Sequence, residues 1–150
     1  MAAEREQLIG YLDLQRNAVI SKLDGLTEEQ ARWKPAPTAN SLLNLVVHLT
    51  GVERNWFQHV IAGKTIDRDR DAELRELTPD VTIASAIAGY RVASEESNAV
   101  MRSVDTDEPG RGMDQLNIRW VVLHMIEETA RHAGHADITR ELIDGTVEDS

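Results

Sequence analysis

Apolar residues recur along the chain at intervals of three and four, which is the period of amphipathic α-helices. No segment shows the regular alternation of apolar and polar residues that is typical of a half-buried β-strand. Only four prolines and nine glycines interrupt the helical pattern. The sequence therefore predicts an all-α protein: a four-helix bundle with long loops and a short extra helix after helix 1, in a single domain over residues 1–150.

Capping and turn residues bound the predicted helices. A capping box at Thr27–Gln30 should start the short extra helix, and prolines 35 and 37 should end it. Thr78 is predicted to cap the third long helix, with Pro79 at its first position. Gly25, Gly63 and Gly145 are expected to follow the ends of the first, second and fourth long helices. The four long helices are predicted over about 3–24, 41–62, 79–104 and 118–144. The charge-dense residues 64–77 between the second and third are predicted to form a loop with at most a short helix.

Composition narrows the chemistry. Sixteen basic against 26 acidic residues give a net charge of −10, which repels polyanions and makes nucleic acid a poor partner. The chain has no cysteine, so disulfides, thiolate zinc sites, iron–sulfur clusters and a cysteine nucleophile are excluded. A bound metal would have to use His, Asp or Glu side chains.

Location is predicted from two simple patterns. The first residues are charged and contain no apolar core of a signal peptide. No run approaches the roughly 18 apolar residues of a membrane span. A cytoplasmic location without membrane association is therefore expected.

The last predicted helix contains three of the five histidines, at positions 124, 132 and 135. At about 100° per residue, Glu128 and His132 point further into the bundle than His124 and His135. A carboxylate and an imidazole four residues apart can coordinate one ion from a single helical face. The alternatives are an ordinary buried Glu–His hydrogen bond or a pair that emerges at the bundle edge, and the spacing alone does not decide between them.

A third ligand would have to come from another helix, and His48 and His59 on the second helix are the remaining histidines. Both lie at the border of the apolar face, so the helical wheel does not choose between them. Glu53 lies nearer the centre of that face and is a candidate to accept a hydrogen bond from a ligand imidazole.

Several sequence blocks in this order resemble the DinB-like superfamily, which includes mycothiol-dependent maleylpyruvate isomerases and bacillithiol transferases. The blocks are LTEEQ at 26–30 leading to WKP at 33–35, HLTGVE at 48–53 followed by WF at 56–57, and ETARHAGHAD at 128–137. The resemblance implies a helical bundle that holds a divalent ion, commonly zinc or nickel. Carried over by position, the ligands are His48, Glu128 and His132.

The same resemblance implies an activity. Many relatives have His at the position of Glu128 and Gln at that of His135, whereas the Glu form resembles the maleylpyruvate isomerase branch. The expected function is a metal-dependent S-transferase or isomerase in which a low-molecular-weight thiol such as mycothiol attacks a small electrophile, with Glu53 and His135 supporting the ligands. The alternative is a non-catalytic metal-binding stress-response or interaction protein. The superfamily also suggests a homodimer.

Overall fold

A computed structural model describes residues 2–147 of the chain. Four long helices form a bundle, and no β-strand occurs within that range, so the predicted all-α bundle is confirmed. None of the described helices combines the length and apolar character that crossing a membrane requires. The helices are α1 Ala2–Ser21, α2 Glu28–Ala31, α3 Leu42–Glu53, α4 Arg70–Leu74, α5 Ile83–Arg102 and α6 Ile118–Asp144.

The helices pack in two main pairs: α1 lies chiefly against α6, and α3 lies chiefly against α5. Their buried faces form two apolar clusters, one towards each end of the bundle. Burial of such side chains is the main favourable contribution to folding. The first cluster includes Val19, Leu49, Tyr90 and Ala133, and the second includes Leu12, Val52, Met101 and Met125.

Buried polar side chains separate the two apolar clusters at the middle of the bundle. Arg16 of α1, Ser97 of α5 and Thr129 of α6 each lie between the two apolar clusters along their own helices, and Glu53 ends α3 at the same level. We call these four residues the polar belt. Buried polar groups are costly without partners, and three of the four are joined directly: the Glu53 carboxylate accepts hydrogen bonds from Arg16 and from Ser97.

Local signals place several helix ends correctly. Asn117 caps α6 by accepting a hydrogen bond from the backbone N–H of Trp120, and the helix ends before Gly145, which has a φ of 76°. The capping box of α2 also forms, because the Thr27 side chain and the Gln30 side chain each accept from the other's backbone N–H. These ends depend on a few adjacent residues, and their prediction is confirmed.

The predicted start of the third long helix is wrong. Helix α5 begins at Ile83, with Thr82 and not Thr78 as its cap. Thr82 and Ser85 form a capping box, and the Glu28 carboxylate of α2 accepts a hydrogen bond from the Ile83 backbone N–H at 3.1 Å. A side chain 55 residues away therefore helps to set this helix end.

The second long helix changes its winding. After α3, residues Arg54–Ile61 continue as a π-helix, where a regular α-helix was predicted. Its last carbonyls are bound by a distant loop: the backbone N–H groups of Arg111 and Gly112 donate to Ile61 at 3.1 Å and Val60 at 2.9 Å. A π-helix of eight residues is unusually long, and such segments often occur near functional sites.

Candidate metal centre

His48 of α3 meets Glu128 and His132 of α6 at the middle of the bundle. One ligand atom from each residue lies within 4.8 Å of the other two. The Nε2 atom of His132 lies 3.2 Å from Glu128 Oε1, and the Nε2 atom of His48 lies 4.0 Å from the same oxygen. Three donor atoms from two helices therefore converge on one point.

The local structure explains this convergence. Glu128 and His132 are one turn apart on α6, so their side chains leave the helix on the same face. His48 faces them from α3, which is anchored at its start by Ser41, whose hydroxyl accepts from the Asn44 backbone N–H. The second candidate, His59, is exposed and lies apart, with its Nδ1 2.9 Å from the Lys64 carbonyl oxygen.

The donor set fits a divalent ion such as zinc. Two imidazoles and one carboxylate are common zinc ligands, and donors in a tetrahedral zinc site lie about 3.3 Å apart. The His132–Glu128 separation of 3.2 Å matches this value, and the other separations are within 4.8 Å. The side chains of His48, Glu128 and His132 retain 11%, 24% and 16% of their exposure, so one side of the cluster is open. Three protein ligands would leave a coordination position for a further ligand.

The electrostatics of His132 also favour the form that binds metal. Burial lowers the pKa of the His132 imidazole, although the nearby Glu128 carboxylate partly opposes this shift. A neutral imidazole is the form that binds metal. The Nδ1 atom of His132 is buried and makes no hydrogen bond to any described residue. Its Nε2 atom contacts Glu128 Oε1, and because a carboxylate only accepts, this hydrogen bond requires the proton on Nε2 while no metal is bound.

His48, in contrast, has a carboxylate partner that the sequence analysis did not identify. Its Nδ1 lies 3.1 Å from Oε1 of Glu73, a buried residue of α4. Arg68 donates to both oxygens of that carboxylate, at 2.8 and 2.9 Å. Both residues belong to the charge-dense segment predicted to be mainly loop, where no local pattern marks one carboxylate as buried.

Glu53, the predicted partner of a ligand imidazole, has other contacts. It is fully buried, and its carboxylate accepts from Arg16 Nε and Nη2, both at 2.8 Å, and from Ser97 Oγ at 2.7 Å. Burial disfavours the charged form of Arg16, but Glu53 and Asp13 outweigh this effect and raise the pKa of the guanidinium. Glu53 thus joins α1, α3 and α5 within the polar belt, while Glu73 occupies the position beside His48.

A cleft of about 430 Å³ adjoins the cluster. It lies between the segment before α3, with the first turn of α3, and the second half of α6. His135, the other predicted supporting residue, is exposed at this cleft, and its ring centroid lies 6.0 Å from that of His132. The cleft combines apolar and polar side chains, as small-molecule sites commonly do. Its lining includes Pro35, Asn40, Ser41, Leu42, Leu45, His132, His135, Ile138 and Thr139.

The remaining histidine of α6 lies in an aromatic group one turn from Glu128. The ring of His124 stacks on Trp120 with a centroid distance of 5.2 Å and an angle of 9°, and Trp56 lies 4.7 Å from His124. Trp120 is 45% exposed. Along α6, this aromatic group lies on the N-terminal side of the cluster, whereas His135 lies on the C-terminal side. The group supplies no metal donor to the cluster.

Comparison with known proteins identifies the family. No curated protein gives a match. The family model described as mycothiol S-transferase matches residues 7–145, a range that includes the polar belt, the histidine–glutamate cluster and the adjoining cleft. This family is part of the DinB-like metal-binding superfamily whose resemblance the sequence blocks indicated. The chain therefore belongs to the mycothiol S-transferase family.

Proposed function

We propose that this protein is a divalent-metal-dependent S-transferase that joins a low-molecular-weight thiol, mycothiol in the first instance, to a small electrophile. The observation that carries the proposal is the convergence of His48, Glu128 and His132 beside an open cleft. Membership of the mycothiol S-transferase family supports the thiol and the transfer reaction.

In this proposal the three side chains hold the ion, zinc before nickel. Zinc bound by three ligands would stabilise the thiolate form of a thiol that takes the open position. Glu128 offers one negative charge against two neutral imidazoles, so a dication would keep a positive charge with which to attract a thiolate. The chain contains no cysteine of its own to compete for that position.

The cleft would bind the electrophile next to the sulfur. Its apolar side chains, such as Leu42, Leu45 and Ile138, suit an uncharged carbon skeleton. In the transfer step the thiolate sulfur forms a bond to the electrophilic carbon, and the leaving group departs with the electron pair of the broken bond. His135 stands exposed at the cleft and is our candidate to accept the proton that the thiol releases.

Elemental analysis and turnover test the proposal together. The purified protein should contain close to one equivalent of metal after growth with zinc and nickel, and His132→Ala should lose it. The matched control is His59→Ala, because His59 lies in the π-helix that continues the helix of His48 but is outside the cluster. The proposal fails if His132→Ala retains the metal content of the wild type.

Mycothiol-dependent conversion of a panel of alkylating electrophiles is the second measurement. Metal binding without any thiol-dependent turnover would favour the non-catalytic metal-binding protein that the sequence analysis left as the alternative. A cytoplasmic location and a homodimer stay predictions from the sequence, and gel filtration with light scattering tests the latter.

A further inference from the structure

We propose that Glu73, held by Arg68, is a positioning residue that fixes the tautomer and orientation of His48. The proposal rests on the metal centre of the proposed function, and it concerns α4 and the residues just before it, which contain no proposed metal ligand. Its evidence is a set of contacts on the side of the imidazole that faces away from Glu128 and His132.

His48 lies between two carboxylates. Glu73 Oε1 is 3.1 Å from Nδ1, and Glu128 Oε1 is 4.0 Å from Nε2. A carboxylate is only an acceptor, so the hydrogen bond to Glu73 requires the proton to be on Nδ1. The neutral ring then has its lone pair on Nε2, the atom that faces Glu128 and His132.

Glu73 is itself fixed in place. Its side chain retains 9% of its exposure, and both carboxylate oxygens accept hydrogen bonds from Arg68. The backbone is held as well, because the buried Asn44 side chain donates to the carbonyls of Glu73 at 2.9 Å and Arg75 at 2.8 Å. Asn44 lies on α3 one turn before His48. The same helix therefore holds both the imidazole and the segment that carries the Glu73 carboxylate.

Gly51 makes room for this arrangement. A Cβ atom at this position would lie 2.1 Å from Glu73 Oε2 and 2.7 Å from Arg68 Nε. Gly51 is inside α3 and does not have a positive φ, so its backbone conformation does not require glycine. Glycine in a helix interior is otherwise unfavourable, and here the missing side chain admits the Arg68–Glu73 pair to His48.

The two imidazoles of the cluster therefore differ. His48 has a carboxylate on its outer nitrogen, while the corresponding nitrogen of His132 has no partner among the described residues. Carboxylate contacts of this kind orient a ligand imidazole and increase its basicity, and their loss commonly costs 10–100-fold in metal affinity. We expect a loss of about that size when Glu73 can no longer accept the Nδ1 proton.

The first test needs no metal. In ¹⁵N–¹H NMR spectra of the metal-free protein at pH 8, His48 should be the Nδ1–H tautomer, whereas Glu73→Ala should shift it towards the Nε2–H form. Wild-type protein with the proton on Nε2 would overturn the proposal. The tautomer can be measured even if the purified protein binds no metal. Failure of this proposal can therefore be told apart from failure of the proposed function.

The second test is Co²⁺ affinity and the visible spectrum of the Co²⁺ form. Glu73→Gln preserves the side-chain volume but removes the negative charge that increases the basicity of His48, and it should weaken binding about 10–100-fold. Gly51→Ala, which displaces the pair without altering its chemistry, should do the same. Glu76→Gln is the matched control, because Glu76 is an exposed carboxylate of the same segment. Wild-type affinity and an unchanged spectrum in folded Glu73→Gln and Gly51→Ala would refute the positioning role.

Discussion

Removing Arg16 alone should destabilise the protein strongly, because Glu53 would remain buried without a counter-charge. Arg16 is 3% exposed and Glu53 is fully buried, and two hydrogen bonds of 2.8 Å join them. In Arg16→Met the carboxylate would keep only the hydroxyl of Ser97, at 2.7 Å. Breaking a buried pair on one side typically costs about 3–5 kcal/mol of unfolding free energy.

The double variant Arg16→Met with Glu53→Leu separates this cost from the contribution of the pair itself. It buries two apolar side chains in place of two charges, and such replacements are often neutral or stabilising. Ser97 would still donate to the Ala93 carbonyl at 2.9 Å, so the double variant does not leave that hydroxyl unpaired. We expect the double variant to recover most of the stability that the single variant loses.

Urea unfolding followed by circular dichroism measures these free energies. For a chain of this size, a loss of 3–5 kcal/mol corresponds to a fall in Tm of roughly 6–20 °C. The reasoning is refuted if Arg16→Met costs less than about 1 kcal/mol, or if the double variant is as unstable as the sum of the single ones. Folded Glu53→Gln should also bind Co²⁺ like the wild type, whereas weaker binding would support the role first predicted for Glu53.

Three further predictions concern other parts of the bundle. Gly112→Ala should lower Tm by several degrees, because its Cβ would lie 2.2 Å from a backbone carbonyl of the π-helix, while Gly89→Ala, with open space, should be neutral or stabilising. Thr82→Ala should cost about 1 kcal/mol in urea unfolding and Thr78→Ala clearly less, and equal costs would contradict the observed cap. Chelation should lower the Tm of metal-loaded wild type by scanning calorimetry but leave His132→Ala unchanged, and an equal fall in both would argue against binding at the cluster.

The sequence predicts best where the cause is local. The end of α6 at Gly145 and the cap at Asn117 depend on neighbouring residues, and a single helical period places Glu128 and His132 on one face. The predicted start of α5 was wrong, because Thr82 and Ser85 form the capping box and the Glu28 carboxylate of another helix supports it. A local pattern does not contain that contact.

The surroundings of His48 show the same limit. The helical wheel leaves His48 and His59 equivalent, and the docking of α3 on α6 separates them. Glu73 lies 25 residues from His48 along the chain, in a segment whose charges are typical of a surface loop. Gly51 was the one available signal, because a glycine inside a strongly apolar helix indicates a close approach by another group.

The three proposed metal ligands come from both helix pairs of the bundle. His48 belongs to the α3–α5 pair, whereas Glu128 and His132 belong to the α1–α6 pair. An ion bound by all three would therefore join the two helix pairs, which are the two halves of the bundle. It would act as a crosslink that closes a long loop of chain, from residue 48 to residue 128, and so would restrict the unfolded ensemble. Affinity for the ion and the stability of the contact between the two halves would then be thermodynamically linked. A substitution that loosens this contact should also weaken binding of the ion.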